Sequence, residues 1–229
     1  MRWLKRILFL LLFIVLFSLC VGGGVWWAIK AQPSFYKELA VVETNREKVI
    51  LDSDKMCEKV RKLRHAAARK TRWEIEFSQD ELNHWLAIEI SEKKAGLLPR
   101  RLKNPRGQIV DGLIQAGVFI DFPEFQGVVS LDIVPRVIRP NVIQIELRRV
   151  RCGVLPVPLR LIAGEIEAKA KEYAIPLQIE ATSGALLLTT ELMDGDLVYE
   201  GKNIVIEEIE ISGKNIRLLG KSSRLEQRK

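Results

Sequence analysis

The side chains with the widest chemical reach in this chain are two histidines, His65 and His84, and three cysteines, Cys20, Cys57 and Cys152. A structural or catalytic zinc site repeats Cys or His at intervals of about two to five residues, and none of these five has such a neighbour. No metal is therefore expected. Three cysteines cannot build a disulfide framework, and a single Cys57–Cys152 bridge is the one pairing left open. Nucleophilic chemistry would need an elbow or a base at fixed spacing, and phosphate chemistry a glycine-rich loop; the sequence has neither. Asn83 and His84 read as the polar surface of a helix, and Glu207, Glu208 and Glu210 as the wet face of a sheet. The expectation is a chain that is not an enzyme and carries no cofactor.

The element that must position everything else is the uncharged stretch Ile7 to Ile29. As a helix it is roughly 34 Å long, enough to cross a ~30 Å hydrocarbon core. Arg2, Lys5 and Arg6 precede it and Lys30 alone follows closely, which keeps the N-terminus in the cytoplasm and the rest of the chain outside. A cleaved signal peptide is the rival, but its apolar core is usually shorter and ends in small residues, whereas this run ends in Trp26, Trp27 and Ile29. A lipidated Cys20 is disfavoured by Leu19 before it. Trp3 at one end, with Trp26 and Trp27 at the other, suits the aromatic belts of a bilayer, and Gly22 to Gly24 is either a helix-approach patch or a flexible place.

Lys and Arg number 36 against 29 Asp and Glu, a formal charge of +7. On an external domain that excess does not address nucleic acid. The clusters over Arg61–Arg72 and Lys93–Arg106 suit an anionic lipid surface, or are simply solvated faces.

Pro33 ends the span and a long amphipathic helix begins near Phe35, with Leu39, Val42, Val49, Met56, Val60 and Leu63 on its stripe. Its expected place is against the following domain, the alternatives being pairing with a second copy or a free stalk. Arg72 to Phe77 alternates as a strand, and Ser78-Gln79-Asp80-Glu81 is a capping box opening a helix with Leu82, Trp85, Leu86 and Ile90 inward. Leu97 to Arg106, with Pro99 and Pro105, reads as a basic loop. Strands follow over 108–111 and 113–121, joined through Asp111-Gly112, then rows at Val129, Leu131, Ile133 and at Ile143, Ile145, Leu147. Regular alternation implies an antiparallel sheet with one apolar face. A helix with Leu159, Leu161, Ile162, Ile166, Ala170 and Tyr173 on its apolar side is expected to lie across that face until Pro176, after which short strands return and end in a hairpin through Gly213-Lys214.

The run Phe77 to Asn83, the turn Pro105 to Gly112 and the run Cys152-Gly153-Val154-Leu155-Pro156-Val157-Pro158 resemble the YpmS-like family of membrane-anchored proteins of unknown function, over roughly residues 72–176. The long charged helix before the domain departs from that pattern. By fold-level analogy the resemblance implies a tubular lipid-binding arrangement, a curved sheet wrapping a helix around an apolar groove.

The fold expected is α+β: a transmembrane helix, a long amphipathic helix, then a curved antiparallel sheet packed on one or two helices. Residues 1–30 form the cytoplasmic stub and signal-anchor, 31–71 the helical stalk, 72–220 the extracytoplasmic domain and 221–229 a basic tail. Its expected role is to bind lipid or another hydrophobic ligand, in a groove lined by Trp73, Trp85, Val118, Ile120, Leu131, Ile145, Leu161 and Ile162, with Arg100, Arg101 and Lys103 meeting a headgroup or the membrane surface. The competing expectation is that the rows merely fill a core, leaving a structural or interaction scaffold of the cell envelope. The partners implied are the membrane, a lipid ligand, and a second copy or an envelope protein, with no nucleic acid.

Overall fold

The structure is a computed structural model that describes residues 23–24, 26–42, 46–69, 72–93, 101–110, 112–123, 125–172, 175–192, 198–199 and 202–224. Most of the expected span, the tail beyond residue 224, and Arg100 lie outside the described residues. Among the described residues no helix is long and apolar enough to cross a membrane.

A helical segment at residues 26–30 leads into α1 (Ser34–Val42) and α2 (Arg46–Arg69). Next come β1 (Arg72–Ser78), α3 (Gln79–Trp85) with its π-helical continuation Leu86–Lys93, then β2 (Leu102–Val110), β3 (Leu113–Asp121), β4 (Gln126–Arg139), β5 (Val142–Cys152) and β6 (Leu155–Val157). After α4 (Leu159–Glu172), the chain closes with β7 (Leu177–Ala181), β8 (Leu186–Glu191), β9 (Val198–Tyr199), β10 (Lys202–Ser212) and β11 (Asn215–Arg224). The class is α+β and all strand pairing is antiparallel.

The strands form two sheets, where the sequence suggests one. The smaller runs β1-β11-β10-β9, so the first strand pairs with the last, Trp73 opposite Gly220 and Phe77 opposite Ile216. The larger runs β2-β3-β4-β5-β8-β7, with β6 added on β5. The stretch read as a basic loop is half strand: β2 starts at Leu102 and carries Pro105. Proline lacks a ladder donor, and it is tolerated here because β2 is an edge strand with a register shift between Lys103 and Arg106 and Asn104 at φ 49°.

The predicted single helix after Pro33 is two helices, and neither stands off as a stalk. Phe35, Tyr36 and Leu39 of α1 are buried with Val128 against the larger sheet, Phe119 packing beside them. Arg106 stacks 4.5 Å over the Tyr36 ring and donates to the Tyr36 carbonyl at 3.0 Å, while Tyr36 Oη donates to the Asn104 carbonyl at 2.7 Å. Further on, Leu63 of α2 packs with Trp73, Ile75, Ile204 and Leu218 on the smaller sheet. Cys57 and Cys152 are both free thiols, so the bridge left open by the sequence is not made.

Candidate functional site

Side chains of a strand alternate between faces, and directly paired residues on neighbouring strands share one. On the larger sheet the register therefore groups Ile114, Ala116 and Val118 of β3 with Ile133, Leu131 and Val129 of β4. The same face continues through Leu147 and Ile145 of β5 to Leu186 and Leu188 of β8, and then to Ala181 and Ile179 of β7. It is apolar at each of these positions, with Thr190 on the same face toward the end of β8. The other face is mixed, and carries Asp132, only 1% exposed, held by Arg149 at 2.7 Å, Gln115 at 3.2 Å and Arg151 at 3.4 Å. A buried carboxylate is tolerated only when compensated in this way.

Two helices border the apolar face. Leu159, Ile162, Ala163 and Ile166 of α4 pack over the β4–β5–β8–β7 side, where Leu147, Val150 and Leu186 are fully buried. The helix α3 lies along the outer edge of β2: Asn83 receives the Gly107 N–H at 2.8 Å and donates to its carbonyl at 2.7 Å, and Gln79 Oε1 receives the Ile109 N–H at 2.8 Å. These side chains close an edge that would otherwise offer free backbone groups. Between the helices, Ala116, Val118, Ile120, Val129 and Leu131 form a strip that is only part-buried.

Of the eight residues expected to line a groove, Val118, Ile120, Leu131, Ile145 and Ile162 share this face. Trp85, part-exposed, sits at the end of α3 beside β2. Two do not belong. Trp73 is on the smaller sheet, 5% exposed and packed with Ile75, Leu63 and Leu218. Leu161 is 70% exposed, because the face of α4 that meets the sheet is set by Leu159, Ile162, Ala163 and Ile166, and Leu161 falls off it. Arg101 is exposed with its guanidinium 4.8 Å over the Phe122 ring, and Lys103 is paired with Asp121.

His84 and Asn83 are not surface groups as the sequence suggested. His84 is 2% exposed, with Nδ1 3.1 Å from Asp52 of α2. Burial raises the Asp52 pKa, but the Lys55 hydrogen bond and charge, together with His84, outweigh it and hold the carboxyl below its ordinary value. The cluster ties α2 to α3. Nearby, the capping box forms as read: Glu81 N–H donates to Ser78 Oγ at 3.2 Å and Ser78 N–H to Glu81 Oε2 at 3.0 Å, while Lys59 Nζ reaches Glu81 at 2.7 Å. These partners overcome the desolvation that would raise the Glu81 pKa and leave it lowered.

Ser78→Ala should cost about 1 kcal/mol in denaturant unfolding at neutral pH. The sign with pH follows from the lowered carboxyl. The stability Glu81 contributes is complete above the ordinary glutamate range and is lost as pH falls through its depressed folded value. The deficit of Glu81→Ala should thus shrink in acid, and a Ser78→Ala deficit that is absent at neutral pH would mean the box does not close.

Burial pushes the Cys152 thiol up, away from a reactive thiolate. Among the described residues no group of His, Cys, Asp and Glu is placed to hold a metal ion. The arrangement that remains is a part-buried apolar strip between two helices. No family model, no curated protein and no solved structure matches the chain.

Proposed function

We propose that this chain is a membrane-anchored, extracytoplasmic, non-catalytic domain that binds a lipid or similar hydrophobic ligand along the strip between α3 and α4. The observation that carries the reading is the incomplete cover of the apolar face: Val118, Ile120, Val129 and Leu131 stay part-exposed although they neighbour a packed cluster. Leaving apolar area in water forgoes roughly 25 cal/mol per Å², so a strip of this extent is where an acyl chain would gain most. The resemblance to the YpmS-like proteins and the charge-free run before Lys30 are consistent with it. A second reading, an envelope scaffold, rests on Ile50 and Leu51, which are 41% and 56% exposed on α2.

The test is photo-crosslinking of the full chain in detergent with a diazirine fatty acid, the adducts being mapped by mass spectrometry. Adducts on β3, β4 and α4 that are suppressed by Val118→Trp support the ligand reading. Since Leu161 points to solvent, Leu161→Trp is the control that should leave labelling unchanged. Adducts confined to the residues before Lys30, with none on the strip, would leave the scaffold reading in its place.

A further inference from the structure

One end of the larger sheet brings together features that no groove requires. There β2 begins at Leu102, β3 ends at Asp121, β4 begins at Gln126, β5 ends at Cys152 and β6 begins at Leu155. The same end holds the residues that finish the charge-free run. Val154 N–H donates to the Ala28 carbonyl at 3.0 Å, and Gly153, at φ 62°, passes so close to the Ala28 and Ile29 carbonyls that any Cβ would collide with them. The β3–β4 turn is pinned by reciprocal backbone hydrogen bonds between Phe122 and Phe125, with Phe125 packed by Gly127 beside Ile29.

Among the described residues this end exposes large apolar side chains and cations, beside the polar Gln126 and the paired Asp121. Phe122 is 39% exposed, Val154 48%, Trp26 55% and Trp27 73%. Arg101 lies over Phe122, and Lys30 Nζ lies 4.5 Å over the Trp26 ring. Asp121, at the end of β3, is paired with Lys103 and also receives a hydrogen bond from Gln126 at 2.7 Å, while the second acid of the turn, Glu124, lies outside the described residues. Exposed aromatic rings interleaved with Arg and Lys are the composition of a headgroup-level belt, where the ring enters the acyl boundary and the cation stays with phosphate. A surface of this kind, fastened to the last residues of a bilayer-length apolar run, has one occupant that fits its position and its charge.

We infer that this end of the larger sheet, with Phe122, Val154, Trp26 and Trp27 as wedges and Arg101 and Lys30 as cations, docks on the outer surface of an anionic bilayer. The inference rests on the membrane-anchored reading above. Its consequence for the ligand strip is geometric. Ile120, next to the β3–β4 turn, and Val129, paired with Cys152 at the end of β5, are the members of the strip nearest this end. The strip opens toward the headgroups, so an acyl chain enters from the bilayer without crossing water.

The experiment uses the full chain with Cys20→Ser, Cys57→Ser and Cys152→Ser, reconstituted into vesicles of neutral lipid with or without phosphatidylglycerol. A single cysteine carrying an NBD fluorophore replaces Phe122, Val154 or, at the far end of β4, the 49% exposed Ile138. The expected result is a blue shift and quenching by nitroxide-bearing lipids at positions 122 and 154, strengthened by phosphatidylglycerol and absent at 138. Arg101→Glu should lower the docked-to-undocked ratio at position 154 about fivefold or more in anionic vesicles, the factor for one basic side chain at such a surface. Gly153→Ala, by pushing Ala28 and Ile29 off the sheet, should abolish quenching at 122 while the chain stays embedded. Extraction of the chain by alkaline carbonate would end the membrane reading itself. A carbonate-resistant chain whose probes at 122, 154 and 138 respond alike, or ignore phosphatidylglycerol, would overturn the docking inference alone.

Discussion

Gly220→Ala should destabilise the domain by about 3 kcal/mol, a large loss for one methyl group. Gly220 sits in β11 between Trp73 of β1 and Ile206 of β10, and a Cβ built on it collides with the Val205 carbonyl oxygen on one side and with the indole of Trp73 on the other. The carbonyl belongs to the ladder and cannot move without breaking pairing beside the register shift at Ile206 and Glu208. The indole can move only by leaving the cluster of Ile75, Leu63, Ile204, Ile206 and Leu218. In a double-mutant cycle, Trp73→Ala should cost less in the Gly220→Ala background than alone, because part of the clash has gone with the ring. Full additivity, or a Gly220→Ala midpoint within about 0.5 kcal/mol of the unaltered chain, would mean that the first and last strands do not meet at this pair.

That pair marks the limit of what could be read from residue order. Alternation is a local signal, so it disclosed the strand at Arg72–Phe77, the rows on β3 to β5, and the hairpins through 111–112 and Gly213-Lys214. It carries no information on which strand a given strand joins. A Trp facing a Gly across the sheet is recognisable only once β1 and β11 are known to be neighbours, so two sheets looked like one. The helix phases were legible on average and failed at single positions. Leu161 has the right residue type and falls about one helical step outside the face fixed by Ile162 and Ile166.

The polar positions misled for a related reason. Asn83 and His84 on a short helix look like surface groups, and their burial depends on two distant elements: β2, whose edge Asn83 satisfies, and α2, whose Asp52 meets His84. A lone buried His with a carboxylate partner has no spacing signature when the partner is on another helix. The apolar strip was more legible, since the rows that form it are consecutive in sequence. What the rows could not disclose is how far the helices cover them, and that distinguishes a filled core from an open strip.

Asn141→Ala should cost about 2–4 kcal/mol and should act on the join between the two sheets more than on either sheet. Asn141 occupies the β4–β5 turn at φ 62°, a left-handed conformation that Asn adopts far more readily than Ala. From there it behaves as one rung of a missing strand. Its N–H donates to the Ile206 carbonyl at 3.0 Å, its Oδ1 receives the Ile206 N–H at 2.9 Å, and its own carbonyl receives the Leu192 N–H at 2.9 Å. Residue 206 lies beyond the short stretch over which β9 pairs with β10, and among the described residues Asn141 is its partner on that side. Alanine combines the backbone strain with a lost acceptor, whereas Asn141→Gly keeps the turn and loses the acceptor alone, and should fall short of alanine by about 1 kcal/mol. Hydrogen exchange locates the effect: protection should fall at Ile206 in both variants and at Leu192 in the alanine variant alone, with β3 and β4 unchanged at their paired centres. Equal stability of the alanine variant and the unaltered chain, with Ile206 still protected, would show that the sheets are joined by something other than this turn.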